Sequence, residues 1–153
     1  MGDSMLVHGT AISVDRRAVL VRGPSGSGKS DLALRALAVT SPIFARSPPA
    51  LVADDQVIVA PAGSTLEVRS PGTLRGLIEV RGLGIQAVPT EAAAQLVLCA
   101  DILPPTEIER LPDPPANLCL FGIAIPLIRI AAFEHSAPLK LLLALAAARP
   151  VSN

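Results

Sequence analysis

The chain has 153 residues and sets Lys+Arg 13 against Asp+Glu 13, for a formal net charge of +0, which is one domain's worth of length with no basic footprint for a nucleic acid or an anionic membrane. Hydrophobic residues make up 50% and charged ones only 17%, a balance that excludes disorder of the low-hydrophobicity, high-charge kind. With no Trp, no Tyr and three Phe, the core must come from Leu, Val, Ile and Ala, and the rings are too few for the stacking platforms of a nucleic-acid binder. A small anion or another protein is the partner to expect.

Taken in chain order, the opening residues MGDSMLVHGT show neither the basic n-region nor the apolar h-region of a secretory leader. No apolar run reaches the ~18 residues of a membrane span, so a cytoplasmic protein is expected. Short aliphatic runs bounded by Gly, Pro and Asp predict strands over 11–14 and 19–22, then over 51–53, 57–60, 66–69 and 77–80, and finally over 96–100, 117–121 and 125–130. Between the second and third of these lies a helix over 29–39, where Leu32, Ala33, Ala36 and Leu37 recur at three- and four-residue spacings and Asp31 and Arg35 face out. A second helix over 138–148 is apolar almost all round, which predicts burial. Pro42, Pro48 and Pro49 mark a loop after the first helix, and Pro104, Pro105, Pro112, Pro114 and Pro115 mark a surface connection rather than a domain linker. There is no internal repeat. The expected fold is a single α/β domain over residues 1–153, mostly β sheet with few helices.

The strongest chemical signal is Gly23-Pro24-Ser25-Gly26-Ser27-Gly28-Lys29-Ser30, a complete G-x-x-x-x-G-K-S. A strand leads into it and a helix leads out, as a phosphate-binding loop requires. Glycines let the backbone curl so that successive N–H groups point inward, where the helix N-terminus adds its positive end. Lys29 would reach the outer phosphates, and the Ser30 hydroxyl would join the shell of a Mg²⁺ ion.

Further on, the strand at 51–53 runs into Asp54-Asp55. Two carboxylates at a strand end can divide the work of supporting a metal and taking a proton from an attacking hydroxyl, although the same pair also suits a solvated turn. In Leu77-Ile78-Glu79-Val80-Arg81-Gly82-Leu83-Gly84-Ile85, period-two spacing puts Glu79 and Arg81 on one face of a strand, as a surface pair or as part of a site. His8, just before Gly9, is open to a structural or a functional role, and His135 has a weaker claim. Cys99 and Cys119 sit in apolar runs without metal-ligand spacing, which predicts two reduced core residues.

Together, a His-Gly near the start, a strand into G-x-S-G-x-G-K-S, a Val-Ala-Asp-Asp strand end and Ile-Glu-Val-Arg-Gly-Leu-Gly-Ile resemble the HPr kinase/phosphorylase family. The likeness is to its C-terminal catalytic domain, in the short α-proteobacterial form without the family's N-terminal domain. It is close from His8 to about Ile85 and looser beyond. The resemblance implies a P-loop kinase fold of the HPr kinase/PEP carboxykinase-like type. It also implies an ATP- and Mg²⁺-dependent kinase that phosphorylates a serine of the phosphocarrier protein HPr, with inorganic phosphate able to reverse the transfer and release pyrophosphate.

Carried over by motif, the resemblance gives Gly23 to Ser30 the nucleotide phosphates and Ser30 a share of the Mg²⁺. Lys29 acts in transfer, Asp54 is the acid/base, Asp55 lies near the metal, Glu79 is a second metal-site carboxylate with Arg81 beside it, and His8 is the active-site histidine. Asp31 stands where the family usually has Glu. The stretch from Ile125 to His135 has no counterpart of the family's basic P-G-R-N-like segment, with Arg129 as a possible substitute, so the resemblance speaks more for the kinase direction than for the reverse. The family's habit of assembly further implies a homo-oligomer, a hexamer. Two other functions stay open: a regulatory nucleotide-binding module acting by protein contact, and a small-molecule kinase or plain NTPase that the P-loop alone would fit.

Overall fold

The computed structural model describes residues 2–40, 47–72 and 75–151, so the predicted loop residue Pro42 lies outside the described residues. The strands are β1 (Met5–His8), β2 (Thr10–Val14), β3 (Arg17–Arg22), β4 (Ala50–Ala53), β5 (Gln56–Ala62), β6 (Thr65–Arg69), β7 (Leu77–Val80), β8 (Gly84–Ala87), β9 (Ala93–Ile102), β10 (Ala116–Leu120) and β11 (Ile123–Ile130). The helices are α1 (Lys29–Leu37) and α2 (Ala137–Ala147). The expected class, a mostly β α/β fold with two helices, is what these elements form.

Among the described residues nine strands make one sheet: seven follow the path β1-β5-β6-β9-β3-β2-β4, β11 pairs with β9 and β10 with β11, and β7 and β8 form a separate hairpin. The long β9 organises the whole. One of its edges pairs with β3 in parallel, while the other is shared, antiparallel to β6 over Ala93–Leu96 and parallel to β11 over Cys99–Ile102. Parallel β3, β9 and β11 therefore deliver their C-terminal ends to the same rim, where ligands of α/β sheets sit. Because β2 runs antiparallel to β3 and β4 antiparallel to β2, the start of β2 and the end of β4 reach that rim too.

Two apolar cores follow from the period-two alternation of the central strands. On one face Ile12, Val19, Val21 and Leu98 pack under α1 and α2 through Leu32, Ala33, Ala36, Leu141, Leu142 and Leu145. On the other, Leu20, Val52, Val57, Val59, Leu66, Leu96 and Cys99 gather with Ile125 as the sheet curls on itself. Each fully buried aliphatic side chain contributes about 1.5–3 kcal/mol. Arg17 ties the end of α2 to the sheet by donating from Nη1 to the Leu145 carbonyl at 3.1 Å, a cation at the negative end of the helix.

Several expectations are corrected. Only one side of α2 is buried: Leu139 is 39% and Leu143 51% exposed, because the helix lies on the surface of the sheet rather than between layers. Cys99 is buried, and desolvation pushes its thiol up to about 12, whereas Cys119 is exposed. In β10 it is Leu118 and Leu120 that turn inward against the core, and strand alternation sends Cys119 the other way. Arg35 is half-buried rather than outward-facing. Arg81 lies beyond the end of β7, in a turn built on positive φ at Gly82 and Gly84, so it does not share a strand face with Glu79. Strands β1 and β8 carry too little buried apolar pattern to be seen in the sequence, β8 being exposed at all four positions. The proline-rich stretch between β9 and β10 is a mostly exposed connection containing a short 3₁₀ turn at Pro105–Glu107, as expected. Among the described residues, no helix is long and apolar enough to cross a membrane.

Candidate active site

The glycine-rich loop leaves β3 and enters α1 as its motif requires. Gly26 and Gly28 take φ of 78° and 100°, the left-handed region where a side chain is strained. Gly28 is the N-cap of α1 and supplies no side-chain acceptor to its first turn, which leaves backbone donors for another partner. The Ser27 hydroxyl, inside the loop, is buried and has no hydrogen-bond partner among the described residues, and a buried polar atom of that kind calls for a ligand or water. Lys29 Nζ donates to the carbonyls of Gly23 at 2.8 Å and Pro24 at 3.0 Å, holding its charge across the loop.

Beside the loop lies a corner made twice. The chain turns from β1 to β2 at Gly9 and from β4 to β5 at Asp54-Asp55, and since β1 pairs with β5 and β2 with β4, the two turns are seated against each other. Gly9 N–H donates to the Asp55 carbonyl at 3.0 Å. A Cβ on Gly9 would stand 2.8 Å from the Val21 carbonyl oxygen, so no larger residue fits there without a shift. Asp55 bends the chain with φ 66°, a conformation Asp tolerates better than most residues.

Asp54, only 9% exposed, is the centre of this corner. Its Oδ1 accepts from Ser30 Oγ at 2.6 Å and from Thr10 Oγ1 at 2.9 Å, and its Oδ2 accepts from the Glu79 N–H at 3.2 Å. One carboxylate thus joins the phosphate loop, the start of β2 and the β7–β8 hairpin. The side chains of Asp55 and Glu79 are on exposed residues. His8, also exposed, pairs in register with Gln56, the residue after Asp55. The structure therefore joins Ser30 and the backbone of Glu79 to Asp54, with Asp55 next in the chain and His8 on the adjoining strand, while among the described residues the carboxylates of Asp55 and Glu79 do not gather with that of Asp54 into one metal-binding group.

Three further features escaped the sequence. Thr10 is fully buried against Asp54, and its one signal is its position directly after His8-Gly9. Arg22, the residue before the loop, holds Asp101 at the end of β9 through two bonds of 2.8 and 2.9 Å, and this carboxylate pushes its guanidinium above the usual value. Arg129 stands opposite Asp101 on β11, but nothing in the sequence links these distant positions. Finally, Arg35 reaches from α1 to the carbonyls of Ala132 and Glu134, and Asp31 braces it at 2.9 Å, fixing the segment after β11 beside the phosphate loop.

The C-terminal domain of HPr serine kinase matches this chain over residues 1–142. The HPr kinase/phosphorylase of Streptococcus thermophilus is 33% identical over 135 residues, covering 81% of this chain and 41% of that protein. The HPr kinase/phosphorylase of Chromobacterium violaceum is 41% identical over 88 residues, 57% of this chain and 25% of that protein. The chain thus spans between about a quarter and two fifths of the length of these curated relatives. The structure of the Hpr(Ser) kinase/phosphatase from Coxiella burnetii has the same fold, with a TM-score of 0.74 at 24% identity over 90% of this chain and 91% of that one. With all but its last residues matched, the chain belongs to the HPr serine kinase C-terminal domain family.

Proposed function

We propose that this chain is an ATP- and Mg²⁺-dependent serine kinase domain acting on an HPr-type phosphocarrier protein. The observation that carries the reading is the 2.6 Å bond from Ser30 to Asp54, which couples a complete phosphate loop to an acidic corner. The unpartnered Ser27 hydroxyl and the uncapped start of α1 fit an oligophosphate. The Ser30 hydroxyl against the Asp54 carboxylate is a donor set that fits Mg²⁺, an ion commonly held by one or two carboxylates together with substrate phosphates. When bound, Mg²⁺ neutralises charge on the phosphates as the γ-phosphoryl leaves.

Lys29 draws the outer phosphates into the loop, and the backbone N–H groups from Gly23 to Ser30 cradle them. Ser30, Asp54 and Glu79 form the metal side. By motif, Asp54 is the base and Asp55 the metal-side neighbour, but the hydrogen bonds favour the exchange of those roles. Asp54 is buried and already engaged by Ser30, while exposed Asp55 adjoins the His8 strand and is open to an incoming serine hydroxyl. In this proposal Asp55 takes the serine proton, His8 lies near the transferred group, and Arg81 approaches it from the hairpin turn. The reverse reaction, phosphate attacking phosphoseryl-HPr to give pyrophosphate, belongs to the same proposal. So does a homo-oligomer, for which the outward Leu139 and Leu143 of α2 offer apolar surface.

The test is transfer of labelled γ-phosphate from Mg²⁺-ATP to purified HPr by wild type, Asp54→Asn and Asp55→Asn. Loss of a positioned base costs ~10²- to 10⁴-fold, so Asp55→Asn should lose transfer to that extent while still binding Mg²⁺-ATP, and Asp54→Asn should also weaken Mg²⁺-dependent nucleotide binding. The opposite pattern would return the base role to Asp54. Nucleotide binding without any label on HPr would turn the assignment toward a regulatory module.

A further inference from the structure

Phe133 is the feature of this rim that the phosphate chemistry leaves unused. It is 73% exposed, although it is one of only three Phe in the chain, and large rings in water are costly unless something covers them. Its neighbours Ala131 and Ala132 are buried. Its position is set from both sides. Arg35 holds the carbonyls of Ala132 and Glu134 from α1, and Glu134 is paired with Lys140 of α2 at 2.6 Å. The ring edge overlies the phosphate loop itself: Cε1 and Cζ stand 3.0 Å from where a Cβ on Gly28 would be.

The strand order decides which part of a nucleotide would meet this ring. Across the rim the sheet runs β4, β2, β3, β9 and β11, with the phosphate loop at the end of β3. The Asp54 corner lies on the β2 and β4 flank, and the segment carrying Phe133 follows β11 on the opposite flank. A nucleoside triphosphate whose terminal phosphate faces the Asp54 corner must run across the loop and leave its nucleoside on the β9 and β11 flank. We propose that Phe133 is the stacking platform for the nucleobase, and so a binding residue that makes this site prefer a nucleotide over a bare polyphosphate. The proposal rests on the phosphate-loop reading above. A single ring suffices here, since any base offers a π-face to an aromatic side chain.

The experiment compares binding of Mg²⁺-ATP and Mg²⁺-tripolyphosphate to wild type, Phe133→Ala and Phe133→Leu, with thermal melting to confirm that each variant folds. Loss of one base-stacking ring weakens binding by about 5- to 150-fold. That loss is expected for ATP in both variants, while tripolyphosphate should bind as before. Because the chain has no Trp, Phe133→Trp installs its sole indole, whose fluorescence should respond to ATP and not to tripolyphosphate. Equal loss of both ligands would reduce Phe133 to packing against Gly28, and no loss of either would remove it from the site; each overturns the proposal. Wild type that binds ATP no more tightly than tripolyphosphate overturns it too and leaves the phosphate loop standing. Wild type that binds neither ligand would overturn the phosphate-loop reading first, and this inference with it.

Discussion

The Asp54 corner and the β7–β8 hairpin touch each other and are built in opposite ways. The corner is closed by hydrogen bonds between residues far apart in sequence, with Thr10, Ser30 and the Glu79 N–H all converging on one buried carboxylate. The hairpin is held by its own ladder from Leu77↔Ala87 to Val80↔Gly84, and it meets the core through buried Ile78 and half-buried Val80. Its far end is open, with Leu83 71% and Ile85 67% exposed. Groups that must meet phosphate and metal at defined distances gain from being fixed in advance. A segment with few buried contacts opens at lower cost, which would suit the admission of the protein substrate proposed above. Glu79 spans both regimes, its backbone in the corner and its side chain on the hairpin.

The sharpest way to break this contrast is at the loop. Lys29→Ala removes a cation that makes charge-assisted bonds, each worth about 1.5–3 kcal/mol, so Mg²⁺-ATP binding should weaken about 10- to 100-fold and transfer to HPr should fall at least as far. A variant that binds ATP normally by calorimetry would mean that the cradle lies elsewhere. Thr10→Val tests the corner more gently. It keeps the shape of a fully buried side chain but deletes one donor to Asp54, and it should cost about 1–3 kcal/mol in chemical denaturation. No change would mean that the Ser30 and Glu79 bonds suffice. At the hairpin, Leu83→Ser should alter stability by no more than about 0.5 kcal/mol, as exposed positions usually do. A larger fall in the same denaturation experiment would show that the tip is packed after all.

Much of the fold was legible because it is written locally. The phosphate loop needs only neighbouring residues and flanking elements, and the nine strands read from the sequence coincide with observed ones; in most of them the aliphatic run is buried, whereas β10 has no fully buried residue and β7 only Ile78. The predicted helix over 29–39 ends two residues early, at Leu37, where Ala38 and Val39 donate instead to Arg35 and Ala36 in a tighter last turn. The missed strands β1 and β8 are largely exposed, so no burial pattern marked them. The misplacement of Cys119 has a related cause: an apolar neighbourhood in sequence does not say which way a strand turns each side chain.

The site divides along the same line. By itself the sequence determined the chemistry available, namely a glycine-rich loop with Lys29 and Ser30, the acidic pair and Glu79, because each motif is contiguous and its residue types admit few uses. Only the tertiary structure decided which members of that set meet. Asp54 rather than Asp55 faces Ser30, Thr10 joins them, and Arg35 sets Phe133 beside Gly28. Those contacts depend on strand order and on the paired corners at Gly9 and Asp55. Sheet pairing can bring residues distant in the chain to one rim, and no local run of amino acids carries that information.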